Sequence, residues 1–298
     1  MGKRMKINID RFRVAQGGKV DLTKWPTLAA PVYNSEDHYA QLLKEYVSTI
    51  NEQQQLLNAS ASYAVLVIFQ AMDAGGKDGA VGHVMTGINP QGCQVTSFKA
   101  PSEQELKHDF LWRAVRELPE RGRIGIFNRS YYEDVLIVRV HPEMLRNQGL
   151  PVPSRGDNEV WHERYRSIVG LERHLHANST RIVKIFLHIS KEEQRKRLLQ
   201  RIDTPEKNWK IRPEDIEERR FWPDYMKAYG KCLTATSTRR APWFVVPADD
   251  KRKGRLIVSR ILLDAFLALD LKYPKTTPAR RKELAAMRAQ LTKEGRVK

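Results

Sequence analysis

Five times the chain moves from a short, β-prone apolar run into an amphipathic helical stretch, and few folds accommodate that alternation. The runs occupy 63–69, 93–98, 123–127, 182–189 and 243–247. They predict strands buried on both faces, and therefore an α/β fold: a parallel five-stranded sheet with helices on each side. A helix over roughly 36–58 precedes the first run, and one beginning near Lys77 follows it. Ser102 to Glu105 reads as a capping box, a long helical region follows the third run, Ser190 to Glu193 caps the next helix, and 251–269 closes the pattern. Open parallel sheets bind ligands beyond the carboxyl ends of their strands. The loops after Phe69, Phe98, Phe127 and Ile189 are therefore the ones to read.

No internal repeat or low-complexity linker divides the chain, so a single domain over 1–298 is expected. Within it, 1–60 is an N-terminal extension and helix, 61–270 the core with a lid near 195–215, and 271–298 a basic tail. That tail carries nine Lys/Arg against two Glu from 272 onward and reads as a peripheral helix or a frayed end. Cys93 and Cys232 form no C-x-x-C pair and read as small buried hydrophobes in a reducing compartment. No apolar run approaches the ~18 residues of a membrane helix, and the opening MGKRMKINIDRF lacks the apolar stretch of a signal peptide. A cytoplasmic protein without a membrane partner is expected.

Lys and Arg number 52 against 35 Asp and Glu, a formal net charge of +17. Such an excess calls for a polyanionic partner: nucleic acid, an anionic surface, or a phosphate-rich small molecule or polymer. Charge alone does not choose among them.

The first loop narrows the choice. Ala71-Met72-Asp73-Ala74-Gly75-Gly76-Lys77-Asp78-Gly79 approximates the phosphate-loop pattern G-x-x-x-x-G-K-[ST]. Gly76 and Lys77 match, while Ala71 replaces the first glycine and Asp78 the hydroxyl residue. Gly75, Gly76 and Gly79 let backbone N–H groups turn inward, Ala74 lies within the same turn, and the following helix presents its positive end. Lys77 adds a full charge for a bound phosphate. Asp73 and Asp78 beside such a nest make sense if a magnesium ion bridges them to phosphate oxygens.

Two further loops carry chemistry. After the third strand comes Phe127-Asn128-Arg129-Ser130-Tyr131-Tyr132-Glu133-Asp134. Phosphate-loop enzymes end this strand in an acid that holds the metal; here Asn128 stands there, with Glu133 and Asp134 about a turn and a half later. Arg129 is placed to reach a transferring phosphoryl group, and Asn128, Glu133 and Arg139 join it as phosphate- or nucleotide-binding candidates. After the fourth strand, 191–212 holds eight Lys/Arg and four acids. Arg197 and Arg201 share a helix face, and 204–210 breaks the helix, bringing Lys207 and Lys210. This is the composition of a cationic flap that closes over phosphates and excludes water. Trp112, Trp161, Trp222 and Trp243 read as packing residues, and the histidines lack metal-ligand spacing.

Taken together, MDAGGKDG (72–79), NPQG (89–92), FNRSYYEDVL (127–136), FLHISKEEQ (186–194), RIDTPEKNWK (201–210) and TSTRRAPW (236–243) resemble the family-2 polyphosphate kinases over nearly the whole length. The resemblance implies a thymidylate kinase-like phosphate-loop fold with a helical lid, and Mg²⁺-dependent phosphoryl transfer, with Mn²⁺ as a substitute. It implies transfer between inorganic polyphosphate and nucleotides, AMP to ADP and ADP to ATP, guanine nucleotides included, by a homo-oligomer, a dimer or tetramer. The Asn-Arg-Ser-x-Tyr-Glu-Asp form of the second motif is similar to the subgroup acting on both nucleoside mono- and diphosphates. With Asn128 in the acid's place, the metal role passes to Asp73 and Asp134, and the lid cations Arg197, Arg201, Lys207 and Lys210 are expected on polyphosphate. Such a polymer carries about one charge per phosphate and needs a line of cations, which suits the net charge.

Two other classes compete: an ATP-dependent nucleotide or small-molecule kinase, and a nucleic-acid-binding phosphate-loop module. The second is disfavoured by the lack of interleaved aromatics and basics or any helix-turn-helix or zinc-finger pattern, so no specific nucleic-acid partner is expected. ATP formation from ADP and polyphosphate, without another donor, separates the first from a polyphosphate enzyme.

Overall fold

Strands β1 (Ala64–Ala71), β2 (Cys93–Ser97), β3 (Ile124–Asn128), β4 (Thr180–His188) and β5 (Trp243–Pro247) pair in parallel in the order β2–β3–β1–β4–β5. This is the sheet of a phosphate-loop kinase-like α/β fold, seen in a computed structural model that describes residues 7–150 and 158–294. Helices α1 (Glu36–Ser60), α2 (Lys77–Met85), α3 (Glu103–Leu106), α4 (Trp112–Val115), α5 (Ile137–Val140) and α6 (Met144–Asn147) precede β4, together with α7 (Glu159–Ala177). Helices α8 (Lys191–Ile202), α9 (Pro213–Glu217) and α10 (Trp222–Thr236) separate β4 from β5, and α11 (Lys251–Leu267) and α12 (Pro278–Glu294) end the described chain.

Every residue of β1 is buried. Its side chains alternate between two apolar layers: Val65, Val67 and Phe69 join one with α11 residues such as Leu256 and Ile261, while Leu66 and Ile68 join the other with Ile168 of α7 and Leu233 of α10. Each fully buried aliphatic or aromatic side chain contributes about 1.5–3 kcal/mol. A strand buried on both faces is therefore the continuous apolar run that the sequence shows.

Local signals fix most boundaries. The Ser35 hydroxyl accepts from His38 N–H to start α1, and left-handed Ala61 ends it. Ser102 and Glu105 make both bonds of the capping box, and Ser190 caps α8. The segment before α1 is built into the core through buried Ile7, Val14, Val20 and Leu22. Val14 N–H donates to the Trp243 carbonyl at 2.9 Å, which covers the edge of β5.

The long helical region expected after β3 is instead broken into a 3₁₀ turn (Tyr131–Val135), α5, α6 and α7. Pro142 disfavours helical backbone at His141, and Gly149 adopts φ +69°. Cys232 is buried as expected, whereas Cys93 is partly exposed at the start of β2. Helix α12 is exposed along its described side chains. Among the described residues no helix is long and apolar enough to cross a membrane.

Candidate active site

The order β3–β1–β4 makes the end of β1 the point where the chain's connections diverge to opposite sides of the sheet, and a cleft of about 1050 Å³ opens there. Residues 73–80 line it. Gly75 N–H donates to the Met72 carbonyl at 2.9 Å, and a Cβ at Gly75 would lie 2.6 Å from both Ala71 Cβ and Met72 O. Only glycine fits. Ala74 and Gly76 take φ of +57° and +91°, so two left-handed residues shape the nest. Gly76 caps α2 without a side chain, leaving the first-turn N–H groups without a side-chain acceptor.

Lys77 Nζ donates to the Ala71 carbonyl at 2.8 Å. Burial, and then the charge of Arg129, hold its ammonium below the usual lysine range, while Asp73, Glu133 and Asp78 pull the other way. Arg129 adopts φ +63° at the end of β3, and its Nη2 lies 3.2 Å from Asp73 Oδ1. Glu133 above all, then Asp73, raise the Arg129 pKa against the opposing effect of burial. Asn128 Nδ2 donates to Asp78 Oδ1 at 2.7 Å, tying β3 to α2. The loops after β1 and β3 thus set cations and carboxylates of both signs against one another. Asp73, Ala74, Gly75, Gly76, Lys77, Asp78, Gly79, Asn128 and Arg129 all line the cleft. Glu133 acts on Lys77 and Arg129 from behind that lining.

Two expectations are corrected. Asp134 does not join Asp73. Its carboxylate accepts from Gln148 Nε2 at 2.8 Å and pairs with Arg164 at 3.7 Å, in a separate hollow beside Phe110 and Leu150. Burial raises its pKa, with Arg164 opposing. The reason is packing: Glu133 and Asp134, being adjacent, point in different directions, and Asp134 is the one buried against Gln148 and Arg164. Arg139 is also elsewhere, donating to Tyr165 Oη and Asn158 Oδ1, both at 3.0 Å, and lying over the Trp161 ring, which fastens α5 to α7.

The lid cations divide. Arg201, Lys207 and Lys210 line the cleft, with Trp209 exposed beside Lys210. Arg197 lines it too, but is buried, and its guanidinium is committed: Nε to Glu193 at 2.7 Å, Nη1 to the Ala74 carbonyl at 3.2 Å, and Nη2 to the Ala248 and Asp249 carbonyls at 2.5 and 3.2 Å. It braces the phosphate loop against the loop after β5, so its expected role on polyphosphate is replaced by a positioning one.

Several lining residues escaped the sequence reading. Lys251 and Arg255 lie four apart in the opening turns of α11, where the carboxyl-end rule applied to β5 would have found them. Lys99 follows Phe98 in a loop already singled out, and Arg212 follows the lid turn. Gln194, at the end of the 186–194 motif, does not line the cleft but supports it: its Nε2 donates to the Asp73 carbonyl at 2.9 Å while its Oε1 accepts from Arg219 at 2.7 Å.

Among the described residues no three His, Cys, Asp or Glu gather into a metal cage. The donor set suits magnesium, which is commonly held by one or two carboxylates together with substrate phosphates. Asp73, partly exposed, lines the cleft beside the phosphate loop together with Asp78, with Glu133 nearby.

A phosphate nest, a lysine, an arginine at the neighbouring strand end and a cationic lid define a phosphoryl-transfer enzyme on a nucleotide kinase-like fold. The chain belongs to the polyphosphate kinase 2 family, whose model matches residues 33–274. It is 61% identical over 289 residues to "ADP-polyphosphate phosphotransferase" of Rhodopseudomonas palustris, covering 97% of this chain and 100% of that one. It is 42% identical to "AMP/ADP-polyphosphate phosphotransferase" of Meiothermus ruber, covering 91% and 98%. The crystal structure of polyphosphate kinase 2 from Arthrobacter aurescens superposes with a TM-score of 0.84 at 38% identity, over 96% of this chain and 99% of that one.

Proposed function

We propose that this enzyme transfers a phosphoryl group between inorganic polyphosphate and nucleoside mono- and diphosphates, guanine as well as adenine. The observation that carries this reading is the cleft lining, where ten Lys/Arg face three Asp. Arg129 and Arg197 are tied to acidic partners, and Lys77 and Arg201 each donate to a carbonyl, yet the set is still larger than one phosphate nest requires. A polymer exploits such a set, since each further phosphate meets another charge. Family membership disfavours the ATP-dependent kinase and nucleic-acid readings.

In this reading Lys77 and the N–H groups of the nest hold the phosphates that flank the bond to be broken. Arg129 stabilises the transferring phosphoryl oxygens, and Asp73 keeps its guanidinium oriented. Arg201, Lys207 and Lys210 close over the chain and exclude water. Mg²⁺ would be held by Asp73, directly or through water and with Glu133 nearby, and would neutralise charge developing between two polyanions. Use of monophosphates rests on the Asn128 form of the second motif and on the AMP/ADP name of the Meiothermus relative. Assembly into a dimer or tetramer and a cytoplasmic location complete the reading, both from family resemblance and composition.

The test is incubation of the purified enzyme with Mg²⁺, polyphosphate as sole donor, and AMP, ADP, GMP or GDP in turn, with separation of products. ADP and ATP from AMP, ATP from ADP, and the corresponding guanine products are expected. No nucleotide product from any acceptor would end the reading, and products from diphosphates alone would remove its monophosphate part.

A further inference from the structure

At the opposite end of the sheet, around the first residues of β4 and the turn leading into β5, lies a second hollow of about 650 Å³. Arg173, Arg181, Arg239 and Arg240 converge on it, beside His176. None of these four guanidiniums makes an ion pair or hydrogen bond among the described residues. Other arginines, such as Arg121 and Arg220, are also unpaired among the described residues; what distinguishes these four is that they line one hollow. Burial, then the charges of Arg181 and Arg240, hold the His176 imidazole below its usual range.

The acid in the wall offers no compensation. Glu172 is buried and already receives Lys184 Nζ at 2.6 Å, Tyr132 Oη at 2.7 Å and Tyr131 Oη at 3.0 Å. The C-terminal end of α7 contributes partial negative charge, equivalent to about half an elementary charge. Four unpaired guanidiniums outweigh it.

The scaffold beneath is rigid. Ser237 Oγ donates to the Val14 carbonyl at 2.7 Å and accepts from Trp243 N–H at 3.1 Å, Thr238 Oγ1 accepts from Ala241 N–H at 3.0 Å, and Arg239 N–H donates to Gln16 Oε1 at 2.9 Å. A turn fastened at four points, carrying two adjacent arginines across from two more, is organised before any ligand arrives. The TSTRRAPW motif, which the active site leaves unused, builds this turn.

We propose that this hollow is a second anion site that takes a segment of a condensed phosphate chain. Guanidiniums suit phosphate oxygens through paired N–H donors, and several charges across one hollow suit an extended polyanion better than a monoanion. The choice of condensed phosphate as ligand rests on the function proposed above, while the capacity to bind an anion does not. The occupant is either a free short oligophosphate or a distant stretch of the chain engaged in the cleft.

Calorimetric titration of the full-length protein with tripolyphosphate tests this, using wild type, Lys77→Ala and the double variant Arg173→Gln/Arg240→Gln. Wild type should show two sites. Lys77→Ala should keep the distal one, and the arginine double variant should lose roughly tenfold or more in affinity there, with its thermal melt unchanged. Steady-state kinetics then assigns the occupant. A several-fold rise in KM for long polyphosphate, with KM for ADP unchanged, supports the site and makes it an anchor for the same chain. Loss of distal binding with unchanged long-chain KM supports the site and makes the occupant a free oligophosphate. Unchanged tripolyphosphate binding in the double variant overturns the proposal, and if light scattering then shows an altered oligomer mass, the arginines form a subunit interface. Failure of the functional reading would look different: no turnover by wild type, yet distal binding still lost on substitution.

Discussion

The Arg129 guanidinium lies 3.2 Å from the Asp73 carboxylate, and this pair joins the carboxyl ends of β3 and β1 directly over the phosphate loop. Both side chains are more than a third exposed, so the pair itself is worth little to stability, about 0–1 kcal/mol. Its value is positional. The left-handed backbone at Arg129 brings its guanidinium to Asp73 in the loop, where the pair fixes the position of both groups.

Lys77 should be the phosphate loop's most important side chain. Lys77→Ala is expected to keep its fold, because the loop is set by Gly75 and the left-handed backbone at Ala74 and Gly76. It should lose on the order of 10²-fold or more in kcat. Circular dichroism with steady-state kinetics checks both; near-normal turnover in the folded variant would remove the lysine from the mechanism.

The two aspartates should separate by phenotype. Asp73→Asn should lose most activity and weaken the dependence on Mg²⁺, and chelation by EDTA should abolish wild-type turnover. Asp134→Asn should leave the KM for Mg²⁺ unchanged and lower Tm, because it weakens a buried pair with Arg164 and the contact with Gln148. Magnesium titrations and thermal melts on both variants are sufficient. The assignment fails if Asp134→Asn shifts the magnesium requirement and Asp73→Asn does not.

Within the lid, Lys207→Gln/Lys210→Gln should raise KM for long polyphosphate more than KM for ADP, with wild-type KM for polyphosphate climbing steeply with salt. Arg197→Gln should behave differently. Its guanidinium braces the Ala74 carbonyl against the loop after β5, so both substrates should suffer together and stability should fall. A polyphosphate-only effect of Arg197→Gln would restore that residue to the polymer's binding line.

Lys184, fully buried in the middle of β4, is held by Glu172 at 2.6 Å, the Thr236 carbonyl at 2.7 Å and Tyr132 Oη at 3.0 Å. Lys184→Met leaves Glu172 buried without its cation and should destabilise by about 3–5 kcal/mol. Urea unfolding measures it. A loss below about 1 kcal/mol would mean that the tyrosine hydroxyls suffice to satisfy the carboxylate.

Sequence alone determined the strands, the helix caps and the phosphate loop, because each is encoded locally: apolar runs by burial on both faces, caps by one hydroxyl, the nest by glycines beside a lysine. It also carried the net charge and hence the polyanion. Only the tertiary structure decided which carboxylate faces the loop, since Asp134 is drawn into a separate hollow by Gln148 and Arg164, partners that the local sequence does not reveal. The same holds for Arg197 and Arg139, which read as phosphate ligands by composition and are occupied by carbonyl, amide and hydroxyl partners up to 123 residues away. Lys251 and Arg255 reach the cleft only because β5 ends beside β4. A charge's neighbours across the sheet are set by long-range packing, and no local pattern encodes them.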